Sequence, residues 1–191
     1  MLCDQKKNTQ ISISRQKGMG VLEAVIAAVL ISLLIVIFFG RIMKISATIE
    51  RESMQQTVNH INSAVNIEAL TLLIRDDQQA LAEWDGANPM RLLNPAPLQY
   101  RGSFDNPNPL EVSPGSWFFD ESDGLLIYRI NHIEKFGGGR AIPERVRFRL
   151  STTYEDNNNN AQRDANERVT GLRFDALDAY QWYPEGEGIK Q

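Results

Sequence analysis

The sequence predicts an α+β protein. One long N-terminal helix, membrane-spanning in its first half and amphipathic in its second, packs on a C-terminal antiparallel β-sheet. Three observations predict this. Met19 to Gly40 is an apolar run of 22 residues, Met54 to Leu72 carries apolar residues at helical spacing, and all eight prolines fall between Pro89 and Pro184 among short alternating segments. The blocks are therefore a leader at 1–18, a membrane helix at 19–40, its amphipathic continuation at 41–80 and a β-rich outer domain at 81–191.

The apolar run comes first. At about 1.5 Å per residue it covers about 33 Å, enough for a hydrocarbon core of about 30 Å. From Ala24 to Phe39 the only polar side chain is Ser32. Glu23 is the anomaly at its start. A carboxylate in lipid costs on the order of a few kcal/mol without a partner, so it marks a functional position. Lys6, Lys7, Arg15 and Lys17 precede the run against one Asp4, and such a cluster stays cytoplasmic. Arg41, Lys44 and Arg51 follow it, offset by Glu50 and Glu52. The C-terminal domain is thus expected in the periplasm, on a single-pass inner-membrane anchor. A secretory signal would have a shorter apolar region of about 7–15 residues ending at small residues; this one ends Phe38-Phe39-Gly40-Arg41.

Gln16-Lys17-Gly18-Met19-Gly20-Val21-Leu22-Glu23-Ala24-Val25 resembles the processing site of type IV prepilins and type II secretion pseudopilins. The resemblance implies cleavage by a prepilin peptidase between Gly18 and Met19, with N-methylation of Met19. It implies that Glu23 is the family's assembly glutamate, four residues beyond the new terminus. Met in place of the commoner Phe after the cut is a departure that bears on the subfamily. The implied partners are other pilins or pseudopilins, the peptidase, an inner-membrane assembly platform and membrane lipid. The chain resembles a minor pilin or pseudopilin, and a mannose-sensitive haemagglutinin-type pilus is the expected system. Physically, the new amine at Met19 and the carboxylate of a neighbour's Glu23 attract strongly at low dielectric, with desolvation offsetting part of the gain. The alternative is a signal-anchored periplasmic binding or enzymatic domain with no filament role.

Beyond the membrane, Met54, Val58, Ile61, Val65 and Leu72, joined by Ala64 and Ala69, form one apolar stripe. Glu52, Gln55, Asn59, Asn66 and Arg75-Asp76 lie opposite. With no proline before Pro89, one helix is expected from Met19 to about Leu73. Gly40 is its weak point, since glycine costs about 1 kcal/mol in a helix interior. Asn88-Pro89, Asn94-Pro95-Ala96-Pro97 and Asn106-Pro107-Asn108-Pro109 read as irregular connections. Trp117-Phe118-Phe119-Asp120 and Leu125-Leu126-Ile127-Tyr128-Arg129, joined by Glu121 to Gly124, read as a β-hairpin. Val146, Phe148 and Leu150 alternate with Arg147 and Arg149 as a half-buried strand. Leu172, Phe174, Ala176, Tyr180 and Trp182 share one parity, interrupted by Asp178, and suggest one final strand or two.

The whole chain carries −4, and −7 without residues 1–18, so no nucleic-acid contact is expected. Cys3, the only cysteine, lies in the leader, which leaves no disulfide for the outer domain. Asp156, Asn158, Asn160 and Asp164 supply oxygens suited to calcium. The spacing echoes the start of an EF-hand, with Glu167 in the twelfth place. Ala161 stands where that loop needs glycine and no flanking helices are expected, so a solvated hairpin loop is the stronger reading and no cofactor is assigned. Catalysis finds little support. His60 flanks the helical stripe, and His132 beside Glu134 reads as a surface group. Gly137-Gly138-Gly139-Arg140 lacks the Lys-Ser/Thr of a phosphate loop and reads as a flexible turn. Trp84, Trp117 and Trp182 are expected in the core rather than on a sugar-binding surface.

Overall fold

The computed structural model describes residues 20–140, 144–158, 164 and 167–183, with backbone alone for 39–45. Gly18, Met19, Asn160 and the leader lie outside the described residues. The chain forms two compact units, Met1–Ile42 and Met43–Gln191. Helix α1 is Val21–Ile74, Gly40 included. In the first unit its Val21–Phe38 stretch is long and apolar enough to cross a membrane. The side chains there face outward, Val21 being 83% exposed and Leu34 65%. Ser32 donates to the Ala28 carbonyl at 2.7 Å, which satisfies its hydroxyl within the helix.

The second unit is α+β. α1 ends at Ile74, next to the Leu73 expected from the sequence, and Asp76 then takes a left-handed conformation (φ 54°) that stops the helix. Helix α2, Gln78–Glu83, restarts with the Asp77 carboxylate accepting from Ala80 N at 3.0 Å as its N-cap. Among the described residues the strands that follow are β1 Tyr100–Phe104, β2 Ser116–Asp120, β3 Leu125–Arg129, β4 Phe136–Gly138, β5 Arg145–Tyr154, β6 Val169–Ala176 and β7 Tyr180–Trp182. The main sheet has the order β1-β2-β3-β5-β6, and β4 and β7 form a separate pair. The hairpin of β2 and β3 and the alternating strand β5 lie where the sequence placed them, and the closing parity run divides between β6 and β7. One expectation is corrected: the sheet is not wholly antiparallel. Strand β1 pairs with β2 in parallel. This polar, half-exposed strand sits in the proline- and asparagine-rich stretch read as irregular.

Met54, Val58, Ile61, Val65, Ala69 and Leu72 belong to one buried cluster with Trp117, Phe119, Leu126, Tyr128, Val146, Phe148, Leu150 and Phe174. Trp117 lies 4.8 Å from Tyr128 and 5.4 Å from Phe148, centroid to centroid, and Phe148 stacks on Phe174 at 5.3 Å. Trp84 and Trp182 pack partly buried against this cluster. The opposite side chains of β2 and β3, Phe118, Leu125 and Ile127, form a smaller cluster with Val112 of the segment between β1 and β2. That segment is tied down by Arg129, whose Nη1 donates to the carbonyls of Leu110, at 3.0 Å, and Val112. The glycine run is not a free turn. Gly137 and Gly138 are in β4, and a Cβ on Gly138 (φ 84°) would stand 2.3 Å from the Ala179 carbonyl oxygen.

Candidate functional site

Glu23 occupies the third position of α1, with Gly20 as the residue before the helix. The Gly20 N–H donates to Glu23 Oε2 at 3.3 Å. This is half of a capping box, in which an acid at the third helical position reaches back to the preceding amide. Its charge also sits at the positive end of the helix dipole. Glu23 is exposed beside an otherwise apolar surface. It therefore has a local role at the helix start that the sequence reading did not weigh. Gly18 and Met19, the processing residues that the resemblance implies, are outside the described residues.

In the asparagine-rich loop, Asn158 Nδ2 donates to Asp164 Oδ2 at 2.6 Å, which brings two of the oxygen-bearing candidates for calcium together. Glu167, 4% exposed, organises the loop. Its Oε1 accepts from Asn157 N and its Oε2 from Asp164 N, both at 2.9 Å. Both oxygens are thus engaged by backbone donors. Among the described residues no group of three or more His, Cys, Asp or Glu is placed to hold a metal ion. Asp156 is described, and Asn160 is not.

The most developed polar constellation was not singled out from the sequence. Glu50 of α1 is buried, and its carboxylate accepts four hydrogen bonds, one from β3 and three from the corner that follows it. Tyr128 Oη donates at 3.1 Å and Asn131 N at 2.7 Å, both to Oε1. His132 donates to Oε2 from N at 2.9 Å and from Nδ1 at 2.5 Å. An ionised carboxylate only accepts, so the imidazole proton is on Nδ1. The corner turns its amides inward because a 3-10 turn, Ile133–Lys135, begins at His132. Burial first, then the nearby Glu50 charge and its hydrogen bond, push the Tyr128 hydroxyl far above the usual tyrosine range. His132 therefore pairs with an acid 82 positions away, which corrects its reading as a surface group. With its oxygens saturated by donors, Glu50 acts as a clasp rather than a proton acceptor for a substrate. A sequence signal existed: Ala47, Glu50, Met54 and Val58 follow helical spacing, so the acid continues the apolar stripe.

His60 is exposed and lines a groove with the Leu93–Gln99 loop, of volume about 770 Å³. Trp117, 1% exposed, is a core residue. No family model, no curated protein and no solved structure matches this chain.

Proposed function

We propose that the chain is a minor pilin or pseudopilin, cut by a prepilin peptidase after Gly18 and built into a type IV pilus-like filament or secretion pseudopilus through α1. The observation that carries this is the Gly18 to Glu23 motif at the head of an exposed, membrane-length helix. The membrane is the inner membrane, with the β-rich unit periplasmic. The arrangement proposed is pilin-like, the second half of α1 lying on the sheet; the buried cluster shared by Met54 to Leu72 with Trp117 and Phe148 supports it. In the precursor, Glu23 is engaged by the Gly20 amide. After cleavage it exchanges this weak contact for the charged terminus of a neighbouring subunit, and that exchange sets the axial register.

The test is incorporation. In cells with a functional filament system, the chain should appear in sheared filaments or cross-linked pseudopilus assemblies. Glu23→Ala should remain membrane-inserted and be excluded from them. Equal incorporation of Glu23→Ala removes the proposed role of the carboxylate. The second reading, an anchored domain with no filament role, is favoured by one observation: the Gly20 contact alone gives Glu23 a purpose.

A further inference from the structure

Strand β1, at one edge of the main sheet, contains an extra residue. Tyr100 is opposite Trp117 and Ser103 opposite Phe119, so three steps along β1 match two along β2. The surplus is taken up where Gly102 adopts a φ of 101°. A Cβ on Gly102 would meet nothing within 4 Å, so the glycine serves this backbone conformation and not close packing. Residues three apart in a regular strand point to opposite faces. The bulge resets that alternation and brings Arg101 and Phe104 to one side. Bulges are rare between parallel strands; where they occur at edges and beside active sites they re-aim a side chain.

Arg101 and Phe104 both line a cavity of about 640 Å³, together with Asp105, Asn106, Pro107 and Glu111. Small-molecule sites occupy about 300–1,000 Å³. The walls are held from outside the cavity. Arg101 Nε donates to the buried Ser116 hydroxyl at 3.2 Å. The segment between β1 and β2 is pinned by Arg129 and by the packing of Val112. Within it Asn108 accepts from Leu110 N and donates to Glu111 Oε1, both at 3.1 Å. The remaining polar groups keep capacity for a ligand. Among the described residues the side chains of Asp105 and Asn106 make no hydrogen bond or ion pair, and Glu111 and Arg101 each engage one atom only. Phe104, 40% exposed, adds an accessible aromatic ring.

We propose that this cavity binds a neutral hexose unit of a glycan. The class follows from the lining. A pyranose ring presents C–H groups on one face, which pack on the negative face of an aromatic ring such as Phe104. Around its rim each hydroxyl donates once and accepts twice. The Asp105 and Glu111 carboxylates supply acceptors, and the free guanidinium nitrogens of Arg101 and the Asn106 amide supply donors. Asp105 and Glu111 against Arg101 leave the lining at −1, which repels sugar acids. A small organic cation is the competing occupant, since it meets the same carboxylates, but the Arg101 charge in the same wall opposes it. The site does not depend on the filament reading.

The experiment is saturation-transfer NMR on the full-length chain in a polyoxyethylene detergent, which carries no sugar. The probes are the methyl glycosides of glucose, galactose, mannose and N-acetylglucosamine. At least one should bind saturably with a Kd of about 1 mM or tighter. Its affinity should stay within about twofold between about 50 and 500 mM NaCl, because the ligand is uncharged. D105N should weaken it by about tenfold, as loss of a charge-assisted hydrogen bond requires, and F104A by about fivefold. R168Q, whose partner Asp76 lies at the α1–α2 junction, should leave it within about twofold. Unchanged tryptophan emission shows that each variant is folded. If F104A is not, D105N decides alone, since its carboxylate bonds nothing else among the described residues. Absence of saturable binding by all four glycosides overturns the proposal, as does parent-like affinity of a folded D105N or F104A chain. Tighter binding of choline, lost at about 500 mM NaCl, overturns the assignment to sugar.

Discussion

Removing the Glu50 carboxylate strips the partner from four donors at once. Two are backbone N–H groups of Asn131 and His132, one is the His132 ring and one the Tyr128 hydroxyl. A buried donor without an acceptor costs about 1–3 kcal/mol. The Asn131–His132 corner is partly open to water, which re-satisfies some of these groups, so Glu50→Ala should cost about 3 kcal/mol in total. Glu50→Gln keeps one acceptor oxygen but turns an NH2 toward two donors, and should cost about 2 kcal/mol. For a unit of this size 3 kcal/mol lowers Tm by about 10 °C. The assay is thermal unfolding of the full chain in detergent followed by tryptophan fluorescence, to which Trp117 contributes from its contact with Tyr128 at 4.8 Å. A double-mutant cycle of Glu50→Ala with His132→Ala should give a coupling above about 1 kcal/mol. A Glu50→Ala shift below about 2 °C, or independent effects of the two changes, would refute the clasp.

Three other expectations concern separate elements. Arg147 first, through its hydrogen bonds, holds the Asp178 carboxyl below the usual aspartate range. The unfolded chain therefore takes up this proton first as pH falls through 3.8, so the pair's stability is present above that value and lost below it as the folded group titrates. Asp178→Asn should cost about 1–2 kcal/mol in urea unfolding at pH 7, and the gap to the parent should narrow as the folded carboxyl is protonated in acid; a gap independent of pH contradicts the pairing. Gly138→Ala forces a Cβ to within 2.3 Å of the Ala179 oxygen at a positive φ, and should lower the urea midpoint by the equivalent of about 2 kcal/mol or more. Gly20→Ala meets open space and should leave unfolding of the β-rich unit unchanged within about 0.5 kcal/mol.

What the sequence disclosed was what repeats locally. Met54 to Leu72 could be read because six buried side chains return every three or four residues, and β5 because arginines alternate with Val146, Phe148 and Leu150. The β2–β3 hairpin carried its own turn in Glu121 to Gly124. Strand β1 carried no such signal: Tyr100-Arg101-Gly102-Ser103-Phe104 gains its strand state from a parallel neighbour across the segment that holds Val112. Glu50 and His132 are joined only by tertiary contact, so each alone resembles a solvated polar residue. Glu23 stood out on hydropathy alone, whereas its contact with Gly20 depends on where the helix begins.

Proteolysis at the head of α1 would be read off the N-terminus of the mature chain. The chain purified from cells containing a prepilin peptidase should begin at Met19, with a methylated amine, and lack all 18 leader residues by intact mass. A product that begins at Met1 with Gly18 still joined to Met19 contradicts it.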